Sequence, residues 1–250
     1  MKRRSCRILL FASASVLFVC HAAAQEPCKL SVIGTANVTA ARDGRTLVLG
    51  DGGELRLAGI EAGDDGDALR ALVGKSLRLE RLGPDHDRYG RLVAFAFAGD
   101  GAISLQQTLL QQGQARVSAR IGDKACAEAL LAAENAARMA KRGLWANPNF
   151  APLSAENLNG LAAMRGRFAL VEGKVLSVRQ SGATIYVNFG RRWTRDFTVT
   201  ILRRLERSFV AAGIAPQLLA GRRIRVRGWV EQRGGPIIDA EAPEQIELLN

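Results

Sequence analysis

Apolar and polar positions alternate with period two through several short segments of the first half, a pattern typical of half-buried β-strands. The segments are residues 30–41, 46–49, 54–60, 77–82 and 92–98. Two segments with helical spacing follow, 105–112 and 125–140, and a short helix is expected over 68–73 with Asp67 as its N-cap. Five short strands with a few helices predict a small closed β-barrel.

The same pattern resumes after NPNFAP, residues 147–152, where two prolines and no periodicity indicate a linker. Strands are expected over 171–178, 184–189 and 197–201, a helix over 202–212, and strands over 222–230 and 237–249. Three strands, a helix and two strands is the element order of an oligonucleotide-binding (OB) barrel. A different five-stranded sheet with the same order is also compatible with it.

The sequence therefore predicts a mainly β protein with some α-helix, containing two OB-like five-stranded barrels in tandem. The expected division is 25–148 for the first barrel, 149–163 for the linker and 164–250 for the second barrel. Residues 1–24 have a different pattern. Basic residues precede an apolar run, 8–20, and three alanines end at Ala24, as in a secretory signal peptide cleaved after that residue. The run is shorter than the ~20 residues of a membrane span.

Export changes how the cysteines and the charge are interpreted. Cleavage leaves Cys28 and Cys126, and two cysteines in an exported chain predict one disulfide, with two buried thiols as the alternative. The net charge of +11 falls to +7, because residues 1–24 carry four cations and no carboxylate. Residues 151–250 then hold 15 Lys and Arg against 9 Asp and Glu, a net of +6. Affinity for polyanions is expected mainly there, unless the composition is only generally arginine-rich.

Four blocks in the first half are candidates for chemistry: RDGRT at 42–46, LRLAGIEAGD at 55–64, DRYGR at 87–91 and the helix ending in KRGLW at 141–145. In this order, from about residue 38 to 145, they resemble the thermonuclease (staphylococcal nuclease-like) family. That resemblance implies calcium-dependent cleavage of DNA and RNA phosphodiesters. It further implies that Arg56 and Arg91 bind the phosphate and that Asp64 activates water. By the same resemblance, Asp43 and Glu61 belong to the calcium site.

Arg45 departs from the family pattern. The resemblance places an aspartate that ligates calcium at this position, whereas the chain has a cation there. Calcium prefers six to eight oxygen ligands, several of them carboxylates, so calcium binding is expected to be severely weakened. Ala119 likewise stands where the family has a tyrosine. Two interpretations remain open. In one, Arg45 pairs with Glu61 or Asp64 and acts as a third phosphate-binding cation. In the other, the catalytic apparatus is lost and the barrel only binds nucleic acid or a protein partner.

The second half combines aromatic residues with arginines, which suits base stacking together with phosphate neutralisation. Alternation over 222–230 is expected to place Arg223, Arg225, Arg227 and Trp229 on one exposed face, with core aromatics and a solvated sheet face as the alternative. The candidate nucleic-acid-binding residues are Arg45, Tyr186, Arg191, Arg192, Trp193, Arg225, Arg227 and Trp229.

The hypothesis from sequence is an exported, periplasmic or secreted protein that acts on DNA or RNA, with phosphodiester hydrolysis of weak or altered metal dependence. The alternative is a catalytically inactive nuclease-like protein that binds single-stranded nucleic acid or a protein partner.

Overall fold

A computed structural model of the protein describes residues 28–63, 65–83, 86–118 and 121–249. The predicted signal peptide, Asp64 and Ala119 lie outside these residues. Within the described part of the chain, no helix is long and apolar enough to cross a membrane.

The first half contains seven strands and three helices among the described residues. The strands are β1 (Ser31–Asp43), β2 (Thr46–Leu49), β3 (Glu54–Leu57), β4 (Ile60–Ala62), β5 (Ser76–Arg81), β6 (Leu92–Ala98) and β7 (Ala115–Val117). The helices are α1 (Asp67–Arg70), α2 (Leu105–Gln111) and α3 (Lys124–Met139).

Five of these strands form a closed barrel in the order β1-β2-β3-β6-β5. Closure depends on β1, which is long enough to pair with β5 through its first half and with β2 through its second. Strand β3 runs parallel to β6, with Arg56 opposite Val93. Alternate apolar side chains point inward and are almost completely buried, among them Leu47, Leu55 and Leu77. The predicted closed barrel is confirmed.

Two local predictions in this half are wrong. The segment 54–60 is not one strand, because Gly59 takes a φ of +73° and turns the chain into β4, which pairs with β7. A Cβ on Gly59 would lie 2.8 Å from Leu130 Cδ1, so a larger residue there would also displace this side chain of α3. Asp67 is the first residue of α1 and not its cap; Gly66 precedes it and no side chain caps the helix.

The second half contains nine strands and two helices among the described residues. The strands are β8 (Leu153–Ser154), β9 (Phe168–Lys174), β10 (Ser177–Ser181), β11 (Thr184–Asn188), β12 (Thr198–Leu202), β13 (Arg223–Trp229), β14 (Glu231–Arg233), β15 (Gly235–Asp239) and β16 (Ile246–Leu249). The helices are α4 (Leu158–Ala163) and α5 (Glu206–Ala211).

These strands repeat the pairing order of the first barrel. Strands β9 and β10 form one bent segment, as do β13 with β14 and β15 with β16. Strand β10 pairs with β11, and β11 pairs with β12. Strand β12 runs parallel to β15. The bent segment β15–β16 pairs with the bent segment β13–β14, and β13 also pairs with β9. Two packed sheets result, around a core that includes Phe197, Phe209 and Val226. Tandem OB-like folds are therefore the observed architecture.

Predicted strands 171–178 and 237–249 are each divided in two, the latter at the turn containing Pro243. Most of the predicted linker 149–163 has regular structure, since β8 pairs with β9 and Leu161 of α4 is buried in the second core. The proposed division into domains stays a prediction, with this segment packed on the second barrel.

The two barrels are in direct contact. Ala137 and Trp145 from the first half form a small buried cluster with Phe168 and Leu170 of β9. Beside it, Arg227 of β13 is 1% exposed and forms an ion pair with Glu134 of α3, Nη1 to Oε2, at 2.6 Å. The same nitrogen donates to the carbonyl of Val117 at 3.1 Å. This contact orients β13 against the end of the first barrel where β4 and β7 pair.

Candidate phosphate-binding cleft

The turn between β1 and β2 places Arg45 beside Glu61. Asp43 Oδ1 accepts a hydrogen bond from the amide of Arg45 at 2.8 Å, which closes the turn Asp43–Thr46. The Arg45 guanidinium then reaches β4, where Nη1 forms an ion pair with Glu61 Oε2 and donates to the carbonyl of Ile60 at 3.3 Å. Of the two partners predicted for Arg45, the structure pairs it with Glu61; Asp64 lies outside the described residues.

Arg56 approaches the same carboxylate from β3. Its Nη2 lies 4.0 Å from Glu61 Oε1, and both side chains are largely buried. Burial lowers the pKa of the Arg56 guanidinium, and the positive charge of Arg91 lowers it further, while Asp43 and Asp87 act in the opposite direction. A guanidinium stays protonated despite such shifts. Arg56 is therefore a charged, partly desolvated donor close to a second cation.

Arg91 is held in place by the turn that precedes β6. Asp87 Oδ2 accepts from Arg91 Nε at 2.8 Å and from Nη2 at 2.6 Å, while Oδ1 accepts from the amides of Tyr89 and Arg91. Burial acts to raise the pKa of Asp87, but these hydrogen bonds and the Arg91 charge outweigh it and leave the pKa lowered. The ring of Tyr89 lies 5.1 Å from Arg91 Cζ and 4.8 Å from Arg88 Cζ.

Arg56, Glu61 and Asp87 line one wall of a cleft of about 860 Å³ between the two barrels. Arg45 and Arg91 are the ion-pair partners of Glu61 and Asp87 and are not themselves among the lining residues. The first barrel contributes Arg56, Glu61 and the turn residues 87–89. The second barrel contributes Trp229, Glu231 and Asp239 to the opposite wall. The structure thus brings together Arg45, Arg56, Glu61 and Arg91 of the predicted site, at the edge where β13 meets the first barrel.

Residues 67–147 match the family model described as staphylococcal nuclease homologue. The second part of the first barrel, with α2 and α3, is therefore similar to a staphylococcal nuclease domain. The match covers about a third of the chain and includes Arg91, whereas Arg45, Arg56 and Glu61 precede it. No curated protein matches the chain. We call residues 28–147 the nuclease-type barrel below.

The described residues of the nuclease-type barrel do not fit a calcium site. One carboxylate oxygen of Glu61 forms an ion pair with Arg45, and one oxygen of Asp43 accepts a hydrogen bond from the backbone of its own turn. No cluster of three or more His, Cys, Asp or Glu side chains suited to a metal ion occurs in the described part of the chain. Calcium needs several carboxylate and carbonyl oxygens converging on it. A cation among the few carboxylates opposes that arrangement.

The predicted disulfide is confirmed. Cys28 and Cys126 are bonded, which joins the segment before β1 to the first turn of α3. Asp123 caps that helix by accepting from the amide of Cys126 at 2.9 Å. The tie holds α3 against the barrel, and α3 carries the Glu134 that contacts Arg227.

The predicted nucleic-acid-binding residues of the second barrel do not form one surface. Arg191, Arg192 and Trp193 lie in the exposed turn between β11 and β12, and Trp193 is 70% exposed. Tyr186 is half-buried on β11, in the other sheet from β13. Trp229 is in the cleft.

The predicted exposed arginine face on β13 is wrong for two residues. Arg227 is buried between Glu134 and Glu247, and Arg225 is largely buried between Glu172 and Glu247. Burial disfavours the charged form of Arg227, but the two carboxylates more than compensate and its pKa is raised. These guanidiniums neutralise neighbouring carboxylates at the contact between the barrels. Strand alternation could not show this, because Arg227 is covered by Glu134 of the nuclease-type barrel and Arg225 by carboxylates of its own barrel.

Sequence reasoning missed Asp87, which fixes Arg91, and it predicted only Trp229 from the second wall of the cleft. It also missed Glu134, although a signal was present. Ala127, Leu130, Glu134 and Ala137 share one face of α3, and a carboxylate at a buried apolar position needs a partner. Its partner, Arg227, is 93 residues away in sequence, so spacing gives no indication of it.

Proposed function

We propose that the protein binds nucleic acid by its phosphates at Arg56 and Arg91. The observation that carries this proposal is the position of Arg56, which is largely buried yet lines the cleft, on the strand β3 that pairs with β6 directly after Arg91. Burial and then the charge of Arg91 lower the pKa of Arg56. Like charges held near each other are stabilised by an anion placed between them. A phosphate diester accepts paired N–H donors from guanidinium groups, which matches this donor set.

Three further observations favour nucleic acid over a small anion. Part of the first barrel is similar to a staphylococcal nuclease domain. The cleft, at about 860 Å³, extends well beyond the volume of one phosphate group. The second half carries a net charge of +6 and an exposed turn with Arg191, Arg192 and Trp193, and basic and aromatic residues together suit single strands.

We extend the proposal to phosphodiester hydrolysis with weak or altered metal dependence. Negative charge grows on the phosphate oxygens during attack by water, and Arg56 and Arg91 are placed to stabilise it. Arg45 supplies a third positive charge beside Glu61. The predicted base, Asp64, lies outside the described residues, so its role remains the hypothesis from sequence.

One observation favours a second function, a binding protein without catalysis. The ion pair between Arg45 and Glu61 engages a carboxylate that could otherwise activate water or hold a metal. Nucleic acid would then bind to the same arginines without being cut.

The test compares binding and cleavage in the same preparations. Single-stranded DNA, duplex DNA and RNA are each incubated with calcium, with magnesium and with chelator. Arg56→Gln is expected to weaken salt-sensitive binding at least several-fold and to remove any cleavage. Arg70→Gln, an exposed cation on α1, is the matched control for the loss of one charge and is expected to bind like the unmodified protein.

Binding that depends on Arg56, without cleavage under any condition, would leave the second function. Equal binding by Arg56→Gln, Arg70→Gln and the unmodified protein would contradict the phosphate site itself.

We also propose that the protein is exported to the periplasm or the medium, with cleavage after Ala24. A disulfide between Cys28 and Cys126 supports this proposal, because such bonds persist mainly in oxidising compartments. N-terminal sequencing of the protein recovered from cell fractions tests it. A chain that begins at Gln25 outside the cytoplasm is expected, and an uncleaved chain in the cytoplasm would refute export.

A further inference from the structure

We propose that Trp229 forms a base-stacking subsite in the cleft, so that one unpaired nucleotide contacts both barrels. Its phosphate lies on Arg56 and its base lies on the indole of the second barrel. This inference rests on the proposed phosphate site and adds to it a binding surface for the base of the same nucleotide. It makes the site composite, because the nuclease-type barrel alone lacks the stacking surface.

The position of Trp229 carries the argument. It is the last residue of β13 and lines the same cleft as Arg56 and Glu61. The indole is 47% exposed, although it packs edge-on against Phe168 with ring centroids 6.1 Å apart. A large aromatic surface left exposed inside a cleft between two domains is a common feature of ligand sites, and every nucleobase has a π-face that stacks on it.

The chain around Trp229 is held rigidly. Gln245 is buried, and its Nε2 donates to the carbonyls of Arg227 at 3.0 Å and of Asp239 at 3.1 Å. Gly228 also lines the cleft, and a Cβ there would lie 2.5 Å from Ile238 Cγ2. The ion pair of Arg227 with Glu134 then fixes β13 relative to the nuclease-type barrel. Binding therefore needs little ordering of the indole, which favours affinity.

The charges on the two walls of the cleft indicate which wall binds the phosphate and which binds the base. On the second wall, Glu231 and Asp239 share the single cation Arg233, and Glu241 adds a third carboxylate. Among the described residues that line the cleft, this wall therefore has no cation that could bind phosphate. Carboxylate oxygens accept hydrogen bonds from base N–H groups, which are engaged by the complementary strand in a duplex. The phosphate is therefore expected to bind at the wall with Arg56. The base is expected to bind at the wall with Trp229, and it must be unpaired.

Trp193 provides an internal comparison. It is more exposed than Trp229 but lies in the turn between β11 and β12, outside the set of residues that line the cleft. A base bound on that turn would be independent of Arg56. The two tryptophans therefore distinguish a composite cleft from a separate surface on the second barrel.

The experiment measures dissociation constants of adenosine 5′-monophosphate and ribose 5-phosphate by calorimetry. The unmodified protein is expected to bind the nucleotide on the order of 10-fold more tightly than the sugar phosphate, the gain typical of one stacked base. Trp229→Leu is expected to remove this preference and to leave the sugar phosphate affinity unchanged. Trp229→Phe should retain most of the preference, and Trp193→Leu should retain all of it.

Equal affinity for both ligands in the unmodified protein, or loss of the preference in Trp193→Leu but not in Trp229→Leu, would overturn the inference. A fall in sugar phosphate affinity in Trp229→Leu would also contradict it, because the substitution would then act on the fold. Failure of the phosphate site is separate. In that case neither ligand binds, and an oligonucleotide binds Arg56→Gln and the unmodified protein equally. Binding that depends on Arg56 but shows no preference for the nucleotide over the sugar phosphate would contradict only the stacking subsite.

Discussion

At the scale of single residues, Arg45 combines a structural and an electrostatic role. Asp43 closes the turn through the backbone of Arg45, so the hairpin does not depend on which side chain stands at this position. The guanidinium of Arg45 affects metal binding and not the turn. It lies against Glu61 and supplies positive charge where a divalent cation would need oxygen ligands. The turn and the metal chemistry can therefore be changed independently.

Arg45→Asp is expected to create calcium affinity without loss of the fold. The substitution replaces a cation by a carboxylate next to Asp43 and Glu61. Calcium at 100 times its dissociation constant should then stabilise the variant by about 2.7 kcal/mol. Thermal unfolding with calcium and with chelator measures this. Arg45→Ala, which removes the cation but adds no ligand, is the control; an equal calcium shift in both variants, or none in Arg45→Asp, would contradict the expectation.

Gly44 is the second critical residue of this turn. Its amide donates to the carbonyl of Gly63 at 3.1 Å, and a Cβ would lie 2.7 Å from that oxygen and 2.9 Å from the carbonyl of Asp65. Both obstacles are backbone atoms, so the turn and the loop after β4 must separate to accept any side chain.

Gly44→Ala is expected to destabilise the protein by about 1–3 kcal/mol, the usual cost of overpacking. Gly63→Ala is the matched control, because a Cβ there meets no atom within 4 Å, and its change should stay within about 0.5 kcal/mol. Urea unfolding of both variants gives the comparison. Equal stability of the two variants would show that the loop moves away freely.

At the scale of elements, the sequence predicted much of the fold because local patterns determine strands and helices. Strands β2 and β6 begin and end where alternation and apolar runs predicted, and α3 differs by one residue at each end. The breaks at Gly59, Val175 and Pro243 were missed, although glycine and proline inside a strand pattern often mark an interruption. Strands β7, β8 and β14, with two or three residues each, are too short to give a periodic signal.

Helix α3 is the element that joins the barrels. Glu134 Oε2 accepts from Arg227 Nη1 at 2.6 Å and from the amide of Val117 at 3.2 Å, and both charged side chains are buried. A buried ion pair adds modest net stability, but removing one partner leaves an uncompensated charge away from water.

Glu134→Ala is therefore expected to cost about 3–5 kcal/mol. Glu128→Ala, on the more exposed side of the same helix, removes the same charge and should cost less than about 1 kcal/mol. A double variant with Arg227→Met should be less destabilised than the sum of the single variants, because it leaves no lone charge. Additive costs in this cycle would mean that the two side chains do not interact.

At the scale of the whole molecule, the site was only half predictable. Arg56 and Arg91 were found because they lie in motifs of the nuclease-type barrel and β3 runs parallel to β6. From the opposite wall only Trp229 was predicted, and its place beside the first barrel was not, because which face of β13 meets that barrel depends on contacts between residues far apart in sequence. Arg225 and Arg227 look like exposed strand residues by type and spacing, but Arg225 is covered by Glu172 and Glu247 of its own barrel and Arg227 by Glu134 of the first.

That docking should respond to pH through Glu247. This carboxylate of β16 forms ion pairs with Arg225 and Arg227, and Arg138 of α3 lies 3.9 Å away. Burial acts to raise the pKa of Glu247, but Arg227 and then Arg225 and Arg138 outweigh it, so the pKa is lowered. A carboxyl with a lower pKa in the folded state binds fewer protons there than in the unfolded chain. Its contribution to stability is complete above the unfolded pKa of about 4.3 and is lost as pH falls below it.

Glu247→Gln should therefore be less stable than the unmodified protein by about 2–3 kcal/mol at pH 7, somewhat below the cost for a fully buried pair. The difference should persist at pH 5 and shrink as the pH falls from about 4 to 3, because the unfolded chain then binds a proton at Glu247 that the folded protein releases. Urea unfolding at pH 7, 5, 4 and 3 measures this, with Glu128→Gln as the control for the loss of one carboxylate. A difference that stays constant down to pH 3 would mean that the charge of Glu247 does not stabilise the contact between the barrels. A difference that shrinks in acid would identify the ion pairs around β13, the strand that carries Trp229, as an acid-sensitive contact between the barrels.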